Sequence, residues 1–162
     1  MKKPSGFTLI AVLIVIVATA LFMSLLLIQI HANTREAELS KALGVFGKIR
    51  RATHQYLRSQ GPLRTDLWTS NTNPCNPHSP PGRLSWSDLR LEDPRTLDEN
   101  WYYALYIGTD RAFSIGAISK DCSSRFFEAV HPGGKTEWVC DSNAGMRPVK
   151  EKDGTTTGCT YW

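Results

Sequence analysis

The chain has 162 residues, 41% hydrophobic and 21% charged, with four cysteines and a formal net charge of +4. That length leaves room for a single globular domain with one modest core. The basic excess does not argue for a nucleic-acid partner. Lys2 and Lys3 lie ahead of the first apolar run, and without them 17 basic residues face 15 acids.

The opening, Met1-Lys2-Lys3-Pro4-Ser5-Gly6, is followed by Phe7-Thr8-Leu9-Ile10 and an uncharged stretch that continues to Ile30. These 24 residues contain no Asp, Glu, Lys, Arg, His, Gly or Pro, and their polar members are Thr8, Thr19, Ser24 and Gln29. At roughly 1.5 Å per residue the run spans about 36 Å, enough to cross a hydrocarbon layer of about 30 Å with some tilt. It reads as a transmembrane helix over 7–30 rather than a cleaved secretory signal or a buried helix of a soluble domain. A secretory signal has a shorter core, with its cleavage site after it. Lys2 and Lys3 place the N-terminus in the cytoplasm, so the chain from about His31 onward is expected outside the membrane.

Residues 33–60 predict more helix, continuous with the first. Leu39, Ala42, Leu43, Phe46, Ile49, Thr53, Tyr56 and Leu57 recur at spacings of three and four, with Arg35, Glu36, Glu38, Lys41, Lys48, Arg50, Arg51 and Arg58 between them. Gly61-Pro62 is the stop signal. Nothing between Ile30 and Asn33 breaks the pattern, so one helix of roughly fifty residues is expected, about 80 Å long.

Residues 61–100 carry Pro62, Pro74, Pro77, Pro80, Pro81 and Pro94 together with Ser70-Asn71-Thr72-Asn73, and predict a long irregular loop. Short ordered pieces are expected near Ser85 to Leu91, with Trp86, Leu89 and Leu91 turned inward. A loop of this length is uncommon in a compact domain, and is read as functional or tethered through Cys75. Residues 101–140 read as an antiparallel meander of about four strands. Trp101 to Ile107 and Arg111 to Ser119 form a hairpin about Gly108-Thr109-Asp110, and Arg125 to His131 turns through Pro132-Gly133-Gly134-Lys135 into Thr136 to Cys140. In the second run Phe113, Ile115 and Ala117 form the face to bury. The fold class is therefore α+β, a long helix packed on a small antiparallel sheet, with 141–162 as a C-terminal segment.

All four cysteines, Cys75, Cys122, Cys140 and Cys159, fall in the extracytoplasmic part, and an even count there predicts two disulfides. Sequence leaves all three connectivities open. No Cys-x-x-Cys occurs and His54, His78 and His131 have no ligand-like spacing, which speaks against zinc.

The basic leader ending in Gly6, with Phe-Thr-Leu-Ile at the head of a long apolar helix, resembles the class III signal of type IV pilins and of type II secretion pseudopilins. The specific match covers about the first thirty residues; beyond Gln60 the likeness is one of architecture. The resemblance implies leader removal between Gly6 and Phe7 by a membrane-embedded prepilin peptidase, followed by N-methylation of Phe7. A Gly there lets the backbone enter a protease site unobstructed. It further implies a disulfide closing the C-terminal segment, Cys140 with Cys159, leaving Cys75 with Cys122.

The implied partners are other pilin or pseudopilin subunits, an inner-membrane assembly platform and the lipid bilayer. The implied location is a single inner-membrane pass with an extracytoplasmic head, then a pilus or pseudopilus. One departure matters. The fifth residue of a mature pilin is usually Glu, which pairs with a neighbour's terminal amine; this chain has Ala11 and cannot supply that charge. Ala11 points to a minor or tip subunit. Ile28 stands where many pilins have Pro, so the helix should resist unwinding on assembly.

No enzyme is predicted. Asp98 and Glu99 are adjacent and would point to opposite faces of a strand, so they read as a solvated loop. Ser123 and Ser124 follow Cys122 without a nucleophile elbow. Asp141-Ser142-Asn143 offers oxygens of the kind calcium takes, but a D-x-N triplet without further acids reads first as turn chemistry, and no cofactor is expected. Two alternatives to a filament subunit remain. One is a DNA-uptake or adhesive minor pilin using Arg50, Arg51 and Arg58, which read first as a solvated helix face. The other is a membrane-anchored protein that joins no filament. Trp68, Trp86 and Trp162 are either partner contacts or packed on their own domain.

Overall fold

A computed structural model describes residues 9–69, 75, 81–144, 146–150 and 155–161. Its first element, α1, is a single helix over Leu9–Ser59, 51 residues long. The chain divides into two compact units, Met1–Ala37 and Glu38–Trp162. In the first, the described residues are all helix.

The second unit is α+β. Its sheet has five antiparallel strands in sequential order: β1 (Leu67–Trp68), β2 (Trp101–Ile107), β3 (Phe113–Ser119), β4 (Arg125–Val130) and β5 (Thr136–Cys140). The four strands from β2 onward lie where aromatic and branched residues alternate with polar ones. β1 is additional, pairing Leu67 with Ile107 and Trp68 with Tyr106 at the edge of the irregular segment. A separate hairpin, β6 (Met146–Lys150) and β7 (Thr156–Tyr161), makes up most of the described C-terminal segment.

The helical period and the strand period meet in one core. From α1 come Leu39, Ala42, Val45, Phe46, Ile49, Ala52 and Leu57; from the sheet come Trp101, Tyr103, Leu105, Ile107, Phe113, Ile115, Ala117, Phe126 and Val130. Phe46 is central. It stacks on Phe126 at 4.8 Å and on Trp138 at 5.6 Å, and meets Tyr103 edge-on at 6.1 Å. Removing such a ring from a core typically costs 3–5 kcal/mol.

α1 ends at Ser59, just before Gly61-Pro62. Its last carbonyls, which have no partner within the helix, are met by the Arg111 guanidinium, which donates to Leu57 O and, at 3.0 Å, to Gln60 O. Arg111 sits in the turn between β2 and β3 at φ 70°. Gly108 opens that turn, and a Cβ there would lie 2.7 Å from Asp110 Oδ1, so a larger residue would displace the carboxylate that accepts from Ala112 N at 3.0 Å.

The irregular segment is more ordered than its prolines suggest. It holds a 3₁₀ turn at Ser87–Leu89 and a one-turn helix, α2, at Pro94–Leu97, with Leu84, Leu89 and Pro94 buried. Asp93 caps α2, accepting from Arg95 N at 3.0 Å, while Pro94 takes the first helical position, where its missing N–H costs nothing.

Candidate functional site

The first candidate is the apolar half of α1. Leu9 is 81% exposed, Phe22 68% and Ile28 66%, so hydrocarbon that would normally drive a core is left outside one. The hydroxyls within this stretch are turned back on the helix: Thr19 reaches Val15 O and Ile16 O at 3.0 and 2.9 Å, and Ser24 donates to Leu21 O at 2.7 Å. They present no unmet donor to an apolar surrounding. By length and composition this one N-terminal helix is able to cross a membrane. Ala11 is the third residue of this helix and brings no carboxylate. Gly6 and Phe7, the expected cleavage and methylation positions, lie outside the described residues.

The four cysteines form two bonds, Cys75 with Cys122 and Cys140 with Cys159, with Cα atoms 5.7 and 5.9 Å apart. The first ties the irregular segment to the turn after β3; the second ties β5 to β7. Cys122 occupies a left-handed conformation, φ 60°, and Asp121 builds the turn that holds it. The Asp121 carboxylate accepts from Ser119 Oγ at 2.5 Å, Ser123 N at 3.0 Å and Ser123 Oγ at 2.8 Å. Those bonds, the Ser119 hydroxyl first, lower its pKa to about 2. Ser123 is therefore a turn ligand of Asp121.

Two acids are buried where the sequence reading placed neither. Glu128 lies on the inner face of β4 between Phe126 and Val130 and is fully buried. Its Oε2 accepts from Arg50 Nε at 3.2 Å and its Oε1 faces Arg50 Nη2. Burial pushes the Glu128 carboxyl up, and the Arg50 bond and charge oppose that only in part. Arg50 is thus tied to the sheet rather than being purely a solvated helix residue, while Arg51 and Arg58 are exposed.

Asp98, expected in a solvated loop, is instead 1% exposed. It accepts from Tyr103 Oη and Asn100 N, each at 3.0 Å. The reason is Tyr103, an inward-facing β2 residue whose hydroxyl needs a buried acceptor; its own pKa is raised by burial and by the Asp98 carboxylate. Period-two alternation was a signal for Glu128, which shares parity with Phe126 and Val130. None was available for Asp98, whose burial depends on a distant fold.

In the Asp141-Ser142-Asn143 triplet, Asp141 Oδ1 accepts from Asn143 N at 3.0 Å and Oδ2 lies 3.4 Å from Arg125 Nε. The geometry is that of a turn. Among the described residues no three His, Cys, Asp or Glu side chains form a metal-holding group. Trp68 is half-buried, its Nε1 donating to Pro81 O at 3.0 Å and Arg83 lying over its ring; Trp86 packs against the core. Trp162 lies outside the described residues. No family model, no curated protein and no solved structure matches the chain.

Proposed function

We propose that this chain is a structural filament subunit of the type IV pilin and type II secretion pseudopilin kind. In this reading it is held in the inner membrane by the apolar half of α1 before assembly and packed through that helix against other subunits afterwards. The observation that carries the reading is the exposed hydrocarbon of α1 over residues 9–30, on a helix whose later turns are core to a disulfide-closed α+β head. Such a surface requires either lipid or apolar helices of other chains, and a filament subunit meets both in turn. The leader motif ending at Gly6-Phe7 adds the processing step, cleavage by a prepilin peptidase and methylation of Phe7. Ala11, in place of the usual Glu, supports a minor or tip position, since the pairing of that Glu with a neighbour's amine is what a repeating subunit uses.

The test is the intact mass and N-terminal sequence of the membrane-extracted protein, before and after reduction. The expected product begins at methylated Phe7 and gains the hydrogens of two disulfides on reduction. A chain that still begins at Met1, or that is cut beyond residue 30, rejects the reading.

A further inference from the structure

The two edges of the five-stranded sheet differ. At the β1 edge the N–H groups of Arg83 and Leu84 both donate to Trp68 O, at 2.8 and 3.0 Å, and Thr69 bridges to Leu84. That edge is covered. Among the described residues β5, at the other edge, pairs with β4 alone, while β6 and β7 form a sheet of their own.

Register identifies the groups left over. His131 N donates to Lys135 O at 2.8 Å and Asp141 N to Arg125 O at 3.1 Å. Alternation in an antiparallel ladder then commits the backbone of Glu137 and Val139 to β4 and turns the N–H and C=O of Thr136 and Trp138 outward. Among the described residues no backbone group bonds them.

That edge opens on a trough of about 850 Å³, within the range of ligand sites, bounded by β5 and by Thr156 and Thr157 at the start of β7. The Cys140–Cys159 bond holds β7 beside β5 at one end without ladder pairing. Arg50 lines the trough, and its side chain is 38% exposed. Its Nε and Nη2 face Glu128, which leaves further donors of the guanidinium fork for a second acceptor. Lys135 and Glu137 neutralise each other through a 2.8 Å bond. Both also line the trough, but they belong to the outward parity of β5, opposite Thr136 and Trp138, so on the inner side the donors open to an acceptor are those of Arg50 not turned to Glu128. The strand itself, Thr-Glu-Trp-Val-Cys, is rich in β-formers and lacks the Pro or bulge that guards many edges.

We propose that the β5 edge is a strand-addition site, at which an extended peptide segment of a partner protein pairs with Thr136 and Trp138 and directs an acidic side chain to Arg50. The site is built from the head alone and stands apart from the filament reading.

The test uses the full-length oxidised chain in detergent micelles and a synthetic ten-residue peptide of alternating Val and Thr with one central Glu. Residue-resolved amide exchange should slow at least about tenfold at Thr136 and Trp138 under saturating peptide, and the same peptide with Lys for Glu should bind about tenfold more weakly. Thr136→Pro removes one outward N–H and spares the β4 ladder, so it should weaken the Glu peptide about tenfold with the β4 amides still protected. Unchanged exchange at both amides with millimolar peptide overturns the proposal, as does equal binding of the Glu and Lys peptides. Protection of those amides that grows with protein concentration in the absence of peptide gives the edge to a second copy of this chain, and overturns it too.

Discussion

Glu128 and Asp121 respond to acid in opposite senses because one is buried and the other is bonded at the surface. Burial raises the Glu128 pKa, so the folded state takes up its proton more readily than the unfolded chain; its contribution to stability is fullest at acid pH and declines as pH rises through the folded value. Asp121 is lowered to about 2, so its contribution is present above the ordinary carboxylate pKa and is lost as pH falls from about 4 through 2. Asp121 is exposed, and after allowance for solvent screening the effect should be about 1 kcal/mol. Denaturation midpoints at pH 7 and pH 3 should converge more closely in Asp121→Asn than in the parent chain; an identical pH dependence in both would remove Asp121 from the account. Arg50→Ala should cost about 2–3 kcal/mol, less than a fully enclosed pair, since the Arg50 side chain is 38% exposed. Adding Glu128→Leu should recover most of it. Failure of the double variant to recover would mean that Arg50 acts through its packing and not through the buried carboxylate.

Among the elements, those with a strong period were readable and those made by closure were not. α1 ends within a residue of the expected boundary, because an unbroken apolar run, a three-and-four spacing and Gly61-Pro62 all act locally. What holds its end, the Arg111 guanidinium, comes from a turn fifty residues away and has no sequence signature. Similarly, β1 is only two residues long and exists because β2 offers it a ladder. The two disulfides stabilise different joins. In the chain-entropy model their separations of 47 and 19 residues correspond to about 4 and 3 kcal/mol. Replacing Cys75 and Cys122 by Ala should therefore lower the denaturation midpoint more than replacing Cys140 and Cys159. The reverse order would show that anchoring β7 to β5 matters beyond loop closure.

At the scale of the whole molecule, the division near Ala37 separates a stretch of helix with exposed hydrocarbon from a unit that contains the whole buried core. The head has its own helix, sheet and staples, so a fragment Glu38–Trp162 is expected to be soluble without detergent and to unfold in one cooperative transition with both disulfides formed. Aggregation of that fragment, or a loss of near-ultraviolet dichroism, would show that residues 9–37 contribute to the head's stability. Full-length protein should require detergent.

By itself the sequence determined the apolar helix, its amphipathic continuation, the α+β class and the inward face of β3, since these follow from periodicities of 3.6 and 2 acting over neighbouring residues. It also showed that four cysteines share one side of the apolar run. Which cysteines bond, that Glu128 meets Arg50, that Asp98 lies beneath Tyr103, and that one sheet edge is closed while the other opens on a trough were decided only by the tertiary structure. Each of these joins residues 19 to 78 positions apart, or follows from such joins, except Asp98, whose bonds are local but whose burial needs the assembled core. Burial, charge pairing and edge closure are properties of what the chain packs against, and no local window of sequence contains them.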